Sequence, residues 1–99
     1  MIIGGKERKY KIGVNATILV CEKLDIDLNE LTEYSQKNPF LIMRTVVWAG
    51  LKSGGEEVSE EQVGDWLDEL GFEEGMKCVD VFFKDLLGEE KKKKKAVKK

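Results

Sequence analysis

Residues 38–55 read "NPFLIMRTVVWAGLKSGG", and the architecture turns on them. Asn38 is of a type that caps helices, and Pro39 suits a first helical position because the N–H it lacks would be unpaired there anyway. From Phe40 to Leu51 the residues are apolar nearly all round, leaving Arg44 and Lys52 to reach solvent at the margins. A helix that is apolar on every side belongs inside a bundle. Gly54 and Gly55 then break the chain. The stretch predicts a central helix, and the remaining sequence has to supply its cover.

On its C-terminal side comes "VSEEQVGDWLDELG", residues 58–71. Ser59 is an N-cap, and Gln62 three residues later completes a capping box. Val58 and Val63 stand in the two places of a hydrophobic staple. Glu60 and Glu61 occupy the first turn, where the helix dipole favours anions. Val63, Trp66, Leu67 and Leu70 share one face, and Gly71 ends the helix. A fifth helix is predicted from about Glu73 to Leu87, carried by Met76, Val79, Phe82, Phe83, Leu86 and Leu87. Gly75 weakens its first turn by about 1 kcal/mol against alanine, and Gly88 terminates it. The remaining "EEKKKKKAVKK" has almost no apolar content and reads as a disordered arm.

On the N-terminal side, Asp27 and Glu30 have capping-box spacing. Leu28, Leu31 and Tyr34 then give a short helix a narrow apolar stripe. Before it, Val14 to Leu24 forms a helix that Asn15 can cap. Ala16, Ile18, Leu19, Val20, Cys21 and Leu24 crowd so much of its circumference that cover on more than one side is expected. The first thirteen residues suggest a β-hairpin: "MII", a glycine turn, then "ERKYKI". In that second strand Arg8, Tyr10 and Ile12 fall on one face, and Glu7, Lys9 and Lys11 on the other. The expectation is a mostly α (α+β) chain. It has an N-terminal β-hairpin and a compact bundle of about five helices over residues 1–90, with a lysine-rich arm at 91–99.

Composition narrows the function. The chain has 99 residues, 41% apolar and 36% charged, which describes one globular domain with a charged exterior. No apolar run approaches the roughly 20 residues that span a bilayer. The opening lacks the layout of a signal peptide, so a cytosolic protein is expected. Cys21 and Cys78 are the only cysteines and histidine is absent. That is too few ligands for a structural zinc site, and the thiols read as small buried hydrophobes. With no histidine base, no cysteine beside a base and no phosphate loop, neither an enzyme nor a cofactor is expected. Carboxylates such as Asp65, Asp68 and Glu69 read as a solvated helix face.

The net charge of −2 hides an asymmetry. Lys91, Lys92, Lys93, Lys94, Lys95, Lys98 and Lys99 supply seven of the 17 Lys and Arg residues. Residues 1–90 therefore hold ten cations against all 19 carboxylates, a balance of −9. The lysine run can give weak, salt-sensitive contact with nucleic acid. The acidic body repels phosphate, though, and no aromatic residue is interleaved for stacking. Trp48 and Trp66 lie on apolar faces, where core packing is the favoured account and a partner anchor the alternative.

The order of elements resembles the small tail assembly chaperones of long-tailed bacteriophages. A glycine-turn hairpin ("IIGGKERKYKIG") leads into a buried helix ("VNATILVCEKLDI"), a short capped helix ("DLNELTEY"), and "WAGLKSGGEEVSEEQVGDWLDE". The likeness is one of layout over residues 1–87 and includes no catalytic motif. It implies a non-enzymatic protein acting in the host bacterial cytoplasm and absent from the mature virion. Such a protein binds the tape measure protein and recruits tail tube subunits. An apolar groove receiving client helices would draw on Trp48, Leu51, Trp66 and Phe82. Such chaperones are often made in two lengths by ribosomal frameshifting, and the codons of Lys91–Lys95 would suit slippage. The arm offers a second use in self-association with an acidic neighbouring copy. The alternative reading is a small DNA-associated or regulatory protein using the basic arm.

Overall fold

The chain is known from a computed structural model that describes the backbone of residues 1–98 and the side chains of residues 1–86. At its centre lies helix α3 (Pro39–Ser53), in which Ile42, Met43, Thr45, Val46, Val47, Ala49, Gly50 and Leu51 are all buried. Helices α1 (Val14–Leu24), α2 (Leu31–Lys37), α4 (Glu60–Leu70) and α5 (Phe72–Lys98) each pack on it. Each large aliphatic side chain withdrawn from water in this way contributes roughly 1.5–3 kcal/mol. The all-round apolar pattern of residues 40–51 is thus met by neighbours on several sides.

The caps explain where the helices begin. At α4 the Gln62 N–H donates to Ser59 Oγ at 3.1 Å, and the Ser59 N–H donates to Gln62 Oε1 at 3.0 Å. Before α2, the Asp27 N–H donates to Glu30 Oε1 at 3.0 Å, and a 3-10 turn over Leu28–Glu30 leads into the helix. Pro39 opens α3 as expected, although the Asn38 side chain makes no capping bond. Asn15 is not a cap either. Gly13 takes that place in extended conformation, so Asn15 falls inside the first turn. Of the apolar residues on α1 only Ala16 and Val20 are fully buried, and Ile18 is exposed. This helix is covered on one side, by α3.

The hairpin is shorter than its pattern suggests. Strands β1 (Ile2–Ile3) and β2 (Lys6–Glu7) pair antiparallel, with Ile2 opposite Glu7 and Ile3 opposite Lys6. Gly4 and Gly5 turn the chain at φ +63° and +81°, a region that glycine enters without steric penalty. Beyond Glu7 the chain leaves the hairpin. The Lys11 N–H donates to the Gly50 carbonyl at 2.9 Å, which ties the segment to the end of α3. The alternation survives without a strand, since Arg8, Tyr10 and Ile12 turn inward while Lys9 and Lys11 face solvent.

Helix α5 starts one residue earlier than its pattern implies and continues past Gly88. One interior glycine costs about 1 kcal/mol, and the Glu and Lys residues around it are good helix formers. The lysine-rich arm at 91–99 lies outside the described side chains. Gly75, in the first turn, is buried against Met43, where a larger residue would collide with the thioether.

Candidate protein-binding surface

The four residues that the sequence proposes for partner contact do not form one surface. Leu51 and Phe82 have 0% exposure and belong to the core. They correct the expectation that these side chains are hard to bury, because α3 and α5 pack closely enough to enclose both. Trp66 is half-buried and already engaged. Gly4 lies against its ring, and the Arg8 guanidinium sits 4.2 Å from the ring centroid. Arg8 also donates through Nε to the Ile3 carbonyl at 2.9 Å and pairs with Glu56 at 3.1 Å. Trp66 therefore clamps the hairpin. Trp48 is half-buried between the ammonium groups of Lys23 and Lys52, each 5.6 Å from its ring.

The exposed aromatic surface lies elsewhere. Phe40 and Leu41 on the first turn of α3, with Phe72 at the start of α5, border a groove of about 610 Å³ floored by Met43 and Leu67. Phe40 is 68% and Phe72 48% exposed, and their ring centroids stand 5.2 Å apart. Two local features bring them together. Pro39 starts α3 at the molecular edge, so Phe40 overhangs it. Gly71 reverses the chain at φ +101°, setting Phe72 beside α3 instead of along α4.

Charge along this groove is one-sided. Glu61, Asp65 and Asp68 all line it from α4. Their i, i+4, i+7 spacing places them in one row along the helix. Arg44 reaches from α3 across to α4, 3.9 Å from Glu60, which is bonded more closely by Lys23 at 2.8 Å. The Arg44 Nε is buried without a hydrogen-bond partner among the described residues. Gly64 leaves room for this side chain, since a Cβ there would touch the Arg44 stem at 3.4 Å.

A second groove, of about 550 Å³, runs between the start of α1 and residues 85–86 of α5. Ile12, Val14, Ile18, Leu28 and Leu86 supply its apolar lining. Among the described residues its one carboxylate is Asp85.

Sequence reasoning missed Phe40 and Phe72 for identifiable reasons. Phe40 belongs to the apolar run and reads as core. Phe72 precedes the stripe of α5, which begins at Met76. The available signal was position: both stand within the first two residues of a helix.

Both cysteines are free. Burial pushes the Cys21 and Cys78 thiols upward, helped by Asp27 and Glu74 respectively, so each stays protonated near neutral pH. Among the described residues no group of three or more His, Cys, Asp and Glu side chains could hold a metal ion. Nor is any helix there long and apolar enough to cross a membrane. Comparison with protein-family models, curated proteins and solved structures finds no match to this chain.

Proposed function

We propose that the protein is a non-enzymatic tail assembly chaperone of a long-tailed bacteriophage. On this reading it binds the tape measure protein and recruits tail tube subunits in the host cytoplasm, and it is absent from the finished virion. Two things support the reading: the layout of hairpin and capped helices, and the exposed groove bordered by Phe40, Leu41 and Phe72. The groove is the observation that carries it. A groove between helices lined by exposed aromatic side chains suits the apolar face of a client helix. The acidic body keeps the chaperone itself dispersed.

Co-expression with a long, helical tape measure protein tests the proposal. The client is expected in the soluble fraction with the wild-type chain and in the pellet with a Phe40→Ser/Phe72→Ser variant. A client that stays insoluble beside the wild-type protein sinks the reading. The DNA-associated alternative predicts a gel shift that survives moderate salt. The chaperone reading predicts only weak retardation that disappears when the lysine run is replaced.

A further inference from the structure

We infer that the groove between α3 and the α4–α5 corner takes a basic amphipathic helix, one whose apolar stripe is flanked by lysine or arginine. The inference rests on the chaperone reading for which protein carries that helix, though not for the helix's chemistry. The floor and rim are apolar, supplied by Phe40, Leu41, Leu67 and Phe72, so the occupant must bring apolar anchors. The α4 wall presents Glu61, Asp65 and Asp68 in a row, all exposed, and Arg44 is the one cation among the described lining residues. Seven residues separate Glu61 from Asp68, which is about 10 Å of helix. The matching segment is two to three turns long and bears cations along one border of its stripe.

Other occupants fit less well. Phosphate-bearing ligands meet three carboxylates. A second copy brings a body with a balance of −9 over residues 1–90 against that same wall. The chain's own lysine run carries charge of the right sign, yet between Lys91 and Lys99 only Ala96 and Val97 are apolar, too little to fill an aromatic groove.

Two synthetic helical peptides of about 18 residues test this against the full chain by fluorescence anisotropy. They share one leucine stripe, flanked by lysines in one and by glutamates in the other. The lysine peptide is expected to bind at least about tenfold more tightly at low salt, as three rim pairs together allow. That advantage should shrink as salt rises to about 0.5 M. Glu61→Gln/Asp65→Asn/Asp68→Asn changes only exposed side chains and should abolish the selectivity. Phe40→Ser should weaken both peptides.

Equal binding of the two peptides overturns the inference, as does selectivity that persists in the triple variant. Dimers that Phe40→Glu dissociates, with no peptide bound, would assign the groove to a second copy and also overturn it. So would a tenfold gain in peptide affinity on replacing Lys91–Lys95 by glutamine, which would assign the groove to the protein's own arm. The co-expression assay is read separately. Peptide selectivity without client rescue removes the chaperone reading and leaves this inference standing, while rescue without selectivity does the reverse.

Discussion

The ring of Tyr10 lies so close to the backbone of Gly50 that a methyl group on Gly50 would overlap it. The next residue, Lys11, donates its N–H to the Gly50 carbonyl at 2.9 Å. Gly50 is thus the place where the N-terminal arm is fastened to the central helix. Gly50→Ala gains about 1 kcal/mol of helix propensity, but the overlap costs about 1–3 kcal/mol. The second effect wins where the ring cannot move aside, and a lowered urea midpoint is expected. A raised midpoint would mean that the arm yields easily.

The Tyr10 hydroxyl is buried and finds no hydrogen-bond partner among the described residues. Burial, followed by the nearby Cys78 and Asp85, pushes its ionisation well above the ordinary value of 10.0. The folded state therefore keeps this proton where the unfolded chain releases it. The stability involved is fully present below pH 10 and is lost as the pH rises beyond it. Tyr10→Phe should be neutral or stabilising by up to about 1 kcal/mol at pH 7. Its stability should also decline less than that of the wild type above pH 10. Denaturant midpoints measured across the alkaline range for both proteins check the sign.

Core and groove separate cleanly by mutation. Leu51→Ala opens a cavity in the centre and is expected to lose about 2–5 kcal/mol. Phe40→Ala removes an exposed ring and should stay within about 0.5 kcal/mol of the wild type. Thermal unfolding of the two variants reads the contrast. Comparable losses would mean that Phe40 is packed in solution.

Ser59→Ala removes the side-chain half of the α4 box and should cost about 1 kcal/mol. Gln62→Ala takes away the reciprocal bond. Because the two residues hold one cap, the double variant should lose less than the sum of the singles. Strict additivity in chemical denaturation would show that the box does not act as a unit.

Arg8 joins the hairpin, Trp66 and Glu56 at once. Arg8→Ala should cost about 1.5–3 kcal/mol, as expected for loss of a charge-assisted bond. It should also speed amide exchange over residues 1–8. Arg8→Lys is not expected to rescue, because an ammonium lacks the planar fork that reaches a carbonyl and a carboxylate while stacking on an indole. Full rescue by lysine would reduce the contact to simple charge.

The features that the sequence shows plainly are local ones. The caps of α4, Pro39 at the start of α3 and the glycine turn at residues 4–5 all depend on residues within a few positions of one another, and all appear where the pattern puts them. The apolar run of residues 40–51 likewise identifies the central helix. What the pattern does not reveal is which neighbour covers which side. Ile18 looks as buried as Val20, and Phe40 as buried as any residue of its apolar run, until the packing of the other helices on α3 is known. The second strand fails for a related reason. Its alternation marks a half-buried segment, but the surface that half-buries Tyr10 is a helix end and not another strand.

Because α1, α2, α4 and α5 all find their seats on α3, the nascent chain has no shelter for Val20 or Leu31 until residue 53 has been polymerised and released from the exit tunnel. Residues 1–38 therefore emerge with their apolar side chains unshielded, and collapse waits on the helix that follows them. Slowing translation before that point should prolong the exposure, and a pause directly after it would still leave the sides of α3 that α4 and α5 cover bare.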